Sequence, residues 1–283
     1  MTRTVTLCVT AGCDGSPGSR AAVAWAAREA GMLGLPLVLL HVREPERSSG
    51  GDPALGETAG LLRSRHPDLD VRVQQVGGRP AEVLADLARD AALLVLGSRA
   101  PGRAGGPLAG SVARAVLART ERPVVLVREG AGAGEPSAPV VLGLDLAHPD
   151  ARLIGFAFAA AARRDTVLRI VHDGDHLRDG DLSTPYGAVA AVPRPAYGPR
   201  TLRRPAVLSE VLRSWREKLP DVLVAEENLC GTPAAHLVDL SRDASLVVIG
   251  RRTRPAGFGV RIGPVAHTVL HRSTAPVAVV PHD

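Results

Sequence analysis

The chain repeats itself, and the repeat limits its fold more than any single segment does. Asp14 precedes His41 by 27 residues, and Asp145 precedes His172 by 27. Pro80 stands 17 residues before Gly97, as Pro233 stands 17 before Gly250. The steps Gly97–Gly110 and Gly110–Pro123 are both 13, and so are Gly250–Gly263 and Gly263–Pro276. Self-similarity on this scale is the mark of one duplicated structural unit. A length of 283 residues accommodates two such units, at the usual size of about 150 residues per domain.

Each unit reads as alternating strands and helices. In the first, the apolar run 5–9 ends in a turn-rich loop, and Pro17 suits the first turn of a helix. Ala21, Ala22, Trp25, Ala26 and Glu29 carry that helix toward Gly31. Further strands are expected at 37–42, 71–76, 93–96 and 124–127, and helices at 55–65, 80–90 and near 111–119. The second unit offers strands at 140–144, 167–171, 246–249 and 277–280, with helices at 151–163, from Pro233, and near 265–271. Aromatics make up 2% of the chain and hydrophobics 45%, so the cores must be aliphatic. Such strands suit a parallel sheet covered on both faces, and strand–helix alternation implies right-handed crossovers. The expected fold class is therefore α/β: two tandem, doubly wound, parallel five-stranded sheets of flavodoxin-like type, with strand order 3-2-1-4-5.

The Gly/Pro/Ala segment after residue 128 reads as a linker. It divides the chain into a first domain (1–128), a linker (129–138) and a second domain (139–283). The repeat offset rises from 131 at Asp14/Asp145 to 153 at Gly97/Gly250, which puts 22 additional residues between His172 and Pro233. They are assigned to an inserted loop near 173–205, where Pro185, Pro193, Pro195, Pro199 and Pro205 oppose regular structure.

Composition excludes several classes. Cys8, Cys13 and Cys230 form neither a disulfide framework nor a zinc pattern, which points to a reducing compartment. The N-terminus lacks signal-peptide anatomy, and no apolar stretch reaches the roughly 18 residues of a membrane span. A soluble, cytoplasmic protein with no membrane partner is expected. The net charge of +5 comes from scattered arginines, with Lys218 the only lysine. Stacking aromatics and a basic recognition helix are both wanting, so nucleic acid is not an expected partner.

In a doubly wound sheet, ligands bind beyond the carboxyl ends of the strands, where strand order reverses. Here that crevice falls between strands one and four. The loop after strand one holds Gly12 and Asp14, and the loop after strand four runs from Gly97 to Ser111. A Gly-rich loop entering a helix N-terminus offers backbone N–H groups and a positive dipole end to phosphates. Ser111 adds a hydroxyl, and Arg99 and Arg103 add charge. Asp14 suits ribose hydroxyls or an adenine amino group, and Val42 suits an adenine edge through its backbone. Plainer roles stand beside these. Asp14 is a good cap for the helix near Pro17, the glycines permit tight turns, and His41 and His172 follow strands in register as structural residues. His267 and His271 have metal-ligand spacing but lack the rest of a coordination set.

Several segments carry a resemblance that spans nearly the whole chain. They are Gly12-Cys13-Asp14-Gly15-Ser16-Pro17, Leu39-Leu40-His41-Val42, Gly78-Arg79-Pro80-Ala81, and Gly97 to Ser111 ahead of Arg122-Pro123-Val124-Val125. These resemble the universal stress protein family, in the tandem two-domain form common in actinobacteria. The family's ATP pattern is Gly, two residues, Gly, nine residues, then Gly and Ser or Thr. Gly97, Gly110 and Ser111 match it, with Val112 following; Ala100 takes the middle position, and Gly102 lies close enough to compensate. In the second copy Gly250 and Gly263 remain, and Asp145 keeps its register within Gly143-Leu144-Asp145. There, however, Thr253 takes the middle position and Pro264 replaces the Ser, removing a hydroxyl and an N–H.

The resemblance implies an ATP-binding, non-enzymatic, nucleotide-responsive regulator of stress adaptation that acts on a protein partner, with Mg2+ accompanying the nucleotide. It also implies an intrachain pseudo-dimer packed through 124–127 and 277–280, and leaves a homodimer of whole chains open. The alternatives are a nucleotide-independent interaction protein with degenerate sites, and a weak ATP hydrolase. The latter lacks a general base, a nucleophile or a carboxylate cluster near the Gly-rich loop.

Overall fold

Ten short aliphatic strands build one continuous sheet, in the order β3-β2-β1-β4-β5-β10-β9-β6-β7-β8. The computed structural model describes residues 7–44, 53–98, 110–130, 135–172, 204–227, 232–253 and 262–282. The first half runs β1 (Cys8–Gly12), α1 (Pro17–Leu33), β2 (Leu37–Arg43), α2 (Pro53–Arg65), β3 (Val71–Gly77), α3 (Pro80–Leu87), β4 (Ala91–Ser98), α4 (Ser111–Arg119) and β5 (Val124–Arg128). The second runs β6 (Val140–Leu144), α5 (Ala151–Arg163), β7 (Leu168–His172), α6 (Arg204–Lys218), β8 (Val224–Glu227), α7 (Pro233–Leu240), β9 (Leu246–Arg252), α8 (Pro264–Arg272) and β10 (Val277–His282).

Each half has the order 3-2-1-4-5 with parallel pairing throughout. The third strand, not the second, lies at the free edge, unlike the 2-1-3-4-5 order of flavodoxin itself. The halves join where β5 meets β10 antiparallel, with Val124 opposite Val279 and Leu126 opposite Val277. Alternation along these two strands sends Val125 and Ala278 into one core and Val124, Leu126, Val277 and Val279 into the other. Helices α1, α2, α5 and α6 cover the first face; α3, α4, α7 and α8 cover the second. Both cores therefore cross the seam unbroken. Each fully buried Leu or Val side chain contributes about 1.5–3 kcal/mol to holding it.

Polar ties reinforce the seam. Glu29 of α1 is 1% exposed and takes Arg163 Nη2 at 2.9 Å; its other carboxylate oxygen takes Arg164 Nη2, just past α5. Arg164 also stands over the Trp25 ring, 5.9 Å from its centroid. Arg128 at the end of β5 donates to the Leu270 carbonyl of α8 at 2.9 Å, and Arg251 of β9 donates to the Thr120 carbonyl at 2.6 Å.

Helix starts follow local chemistry. Ser16 caps α1 by accepting from Ser19 N at 3.1 Å, and Pro17 occupies the first turn. Gly34, at φ 62°, closes that helix in the left-handed conformation. Asp150 caps α5, and Thr232 caps α7. By contrast, α4 and α8 begin at Gly110 and Gly263 with no capping side chain.

Some sequence expectations shift. β1 reaches Gly12, further into the turn-rich segment than the apolar run suggested, while residues 1–6 lie outside the described set. The helix expected over 80–90 ends at Leu87, and Ala88–Asp90 forms a single 3-10 turn. Pro205 does not oppose structure: it is the second residue of α6, where a missing N–H is harmless. The rest of the expected insertion, 173–203, lies outside the described residues.

Candidate functional site

β1 pairs with β2 on one side and with β4 on the other, so strand order reverses at β1. Gly12 and Ser98 end their strands at this reversal, and the segment from Cys13 to Ser16 links β1 to α1. Backbone bonds fix that segment: Cys13 N donates to the Leu40 carbonyl at 2.8 Å, and His41 Nδ1 meets the Cys13 carbonyl at 2.8 Å. His41 is thus a structural clip between β2 and the Asp14 turn.

Asp14 is exposed beyond the strand end. Its Oδ1 accepts from Ser16 N at 3.0 Å, and its own N donates to Ser19 Oγ at 3.4 Å. Ser16, not Asp14, is the helix cap, so the capping role expected for Asp14 passes to its neighbour. Partial burial alone would raise the carboxyl pKa, but hydrogen bonds from Ser16 and Ser19 outweigh it and hold it below the ordinary value. Among the described residues no cation pairs with Asp14.

The glycines of this site do different work. A Cβ on Gly97 would lie 2.5 Å from both the Gly18 carbonyl carbon and Ser19 N, because the first turn of α1 rests directly on β4. Gly12 faces Leu96 just as tightly, at 2.7 Å. Both are packing glycines. A Cβ on Gly110 would meet nothing within 4 Å, and this residue opens α4 without a capping side chain, beside the exposed Ser111. Val42 and Val112 pack at the edge of the second core, below this opening. Arg99, Gly102 and Arg103 lie outside the described residues.

The second half keeps the turn, its aspartate accepting from the amide two residues on, but differs in the charges around it. Asp145 Oδ2 is held by Arg252 Nη2 at 3.0 Å and by His148 Nδ1 at 3.1 Å, and its Oδ1 accepts from Ala147 N at 2.9 Å. Burial raises the Asp145 carboxyl pKa, but His148, the Ala147 amide and the Arg252 charge outweigh that and hold it low. Gly143 lies against Leu237, and a Cβ on Gly250 would fall 2.5 Å from His282 Nε2. Thr253 donates from N and Oγ1 to the His282 carbonyl, at 2.7 and 3.1 Å. Gly263 is open like Gly110, but Pro264 follows it and supplies no N–H. Among the described residues the buried His172 Nδ1 has no hydrogen-bond partner, whereas its counterpart His41 is clipped.

Sequence reasoning missed the Arg252–His148 clamp and the His282 contact, which join residues far apart in the chain. It also missed Gly18, whose signal was available: a glycine in the first turn of a helix, where no left-handed conformation is needed. His267 and His271 stack on each other with centroids 4.1 Å apart. Among the described residues no three His, Cys, Asp or Glu side chains group to hold a metal, and no helix is long and apolar enough to cross a membrane.

Fold and sequence together define a class: tandem doubly wound units fused edge to edge, each with a glycine-started helix after its fourth strand. The universal stress protein family model matches residues 8–128 and 137–281. Universal stress protein Rv2623 of Mycobacterium tuberculosis is 32% identical over 291 residues, spanning 95% of this chain and 94% of that one. Universal stress protein Rv2005c of the same organism is 29% identical, with 96% of each chain covered. A crystal structure of a universal stress protein from Archaeoglobus fulgidus shares the fold at 17% identity, with a TM-score of 0.66 and all of both chains covered. The chain belongs to the universal stress protein family.

Proposed function

We propose that the first half binds an adenine nucleotide, ATP with Mg2+, and that the protein is a non-enzymatic, nucleotide-responsive regulator of stress adaptation in the cytoplasm. The observation that carries this is the contrast between the two switch points. In the first, Asp14 is ionised and unclaimed by any described cation, and the uncapped α4 N-terminus opens at Gly110. In the second, the equivalent Asp145 is clamped, and Pro264 blocks the helix start. A ribose or adenine fits the Asp14 carboxylate as hydrogen-bond donor, and phosphates fit the α4 N-terminus through its free N–H groups and dipole. The second half serves as an interaction module, a reading favoured by the Asp145–Arg252 pair.

Regulation needs the nucleotide to bind two conformations unequally. The described ends of the connection between β4 and α4, Ser98 and Gly110, flank the surface that a partner would read. The test is calorimetric titration of nucleotide-stripped protein with ATP and magnesium. One site per chain, lost in Asp14→Ala, supports the reading. Two sites overturn the assignment of the second half, and no binding at millimolar ATP overturns the function.

A further inference from the structure

The seam between α4 and α8 carries a cationic patch that the proposed nucleotide site does not use. α4 (SVARAVLAR) and α8 (PVAHTVLHR) contain no carboxylate. The antiparallel junction of β5 and β10 brings the first turns of α4 toward the C-terminal end of α8. Arg114 of α4, Arg128 at the end of β5 and His267 of α8 all lie near enough to His271 of α8 for their charges to act on it. Arg128 is fixed by its bond to the Leu270 carbonyl, while Arg114 and His267 are exposed. The two imidazoles stack with centroids 4.1 Å apart and an interplanar angle of 26°, an arrangement that sets one ring against the other instead of converging them on a metal.

Among the described residues, no carboxylate forms a salt bridge with Arg114, Arg128, His267 or His271. The His271 pKa is pushed below the ordinary histidine value, first by burial and then by repulsion from His267, Arg128 and Arg114. On the far side of α8, α7 presents His236 and Asp239, and the turn after it presents Arg242 and Asp243. Asp239 is paired with Arg242 at 3.5 Å. Arg272 adds another cation on α8 itself. Among the described residues, the acidic groups on the packed elements are Glu82 of α3, 3.7 Å from Arg79 and 3.9 Å from Arg119, and Asp239 and Asp243 beside α8, while Glu129 follows Arg128 and Glu121 lies toward Arg251 at the opposite end of the seam.

We propose that this patch is a binding site for a short, multiply charged phosphate chain, independent of the nucleotide site. Four nearby cationic or protonatable groups on three elements match a few phosphate groups, and the flanking glutamates limit how far the anion extends. Arg114 and Arg128 supply permanent charge, and His271, whose protonation burial and the neighbouring charges disfavour, gains charge when an anion favours it. An anion seated over the pair offsets the positive charge around His271 and favours its protonated form, so binding takes up protons.

The test is titration of the full chain with sodium tripolyphosphate at low ionic strength, at about pH 6 and about pH 8, either side of the ordinary histidine pKa. Heats give affinity, and histidine side-chain NMR signals report the site. Affinity about tenfold higher at the lower pH is expected, with both His267 and His271 signals shifted. Arg114→Ala and the double variant His267→Gln/His271→Gln should each weaken binding by about tenfold or more, while Gly110→Ala leaves it intact. Binding lost only in Gly110→Ala, with the histidine signals unmoved, would place the anion at the α4 N-terminus and overturn the proposal. So would equal affinity at the two pH values, or binding to anionic lipid vesicles without binding to tripolyphosphate. Because the substituted side chains include exposed ones, thermal midpoints close to the parent's will show that the variants fold.

Discussion

Replacing Glu29 by Gln tests whether the halves form one cooperative body. Glu29 and Arg164 are 1% and 2% exposed at their side chains, and Arg163 is 20% exposed. At the 2.9 Å separation of Arg163 and Glu29, an effective dielectric constant of about 20 gives an attraction of roughly 6 kcal/mol, most of it offset by desolvation. Removing only the carboxylate charge leaves two guanidinium groups without their buried counter-charge, and the expected cost is about 3–5 kcal/mol. With a urea m-value of about 3 kcal/mol/M for a chain of this size, the midpoint falls by roughly 1–1.7 M. Trp25 lines this contact and Trp215 lies in the second half, so fluorescence of single-Trp variants follows each half separately. The expected trace for Glu29→Gln is a lowered midpoint with the two reporters parting company. A combined Glu29→Met, Arg163→Leu, Arg164→Met variant should recover most of the loss, because an apolar replacement has no charge to desolvate. A Glu29→Gln midpoint within about 0.2 M of the parent, beyond extrapolation error, would refute the reasoning and mean that water reaches the pair.

Other substitutions separate packing from binding. Gly97→Ala should destabilise the fold by about 1–3 kcal/mol or more, read as a lower urea midpoint, because its Cβ meets α1 backbone that cannot swing aside. Gly110→Ala should leave the midpoint within about 0.5–1 kcal/mol of the parent, since the site is open, yet weaken ATP binding in calorimetry. Arg252→Ala should leave folding nearly unchanged, because its pair is surface-exposed; a second ATP site appearing in this variant would show that the clamp, not Pro264, closes the second half. With the Asp14 pKa below its unfolded value, its contribution to the Ser16 turn is present above the ordinary carboxylate pKa and lost as pH falls through the lowered one. The Ser16 amide signal in NMR should therefore move only below the ordinary carboxylate range; movement at or above it would contradict this.

The two copies' strand and helix spacing was legible because aliphatic periodicity and Gly/Pro punctuation are local signals. The α5, β6 and α4 limits, for instance, coincide with the segments read from sequence. α6 was hidden because Pro205 reads as a breaker in isolation, although the same residue is harmless in a first turn. At the candidate site, Asp14 and Gly110 are readable as candidates from topology and register alone. The Asp145–Arg252 pair was not legible: the two residues are 107 positions apart, and the β6–β9 pairing brings them together. Gly97 illustrates a different limit. Its motif position suggests a ligand, while its closest neighbours are the backbone atoms of Gly18 and Ser19. The sequence cannot distinguish a glycine kept for a visitor from one kept for a neighbour.

The antiparallel seam has a directional consequence. Strands within each half run parallel, but the halves run against each other, so the first switch point opens at one edge of the sheet and the second at the opposite edge. The molecule thus has a head and a tail. With an open Asp14 at one and a clamped Asp145 at the other, the near-symmetry of duplication is broken chemically. A partner approaching along the sheet meets two distinguishable ends, and orientation becomes information that a symmetric pair of identical units could not carry.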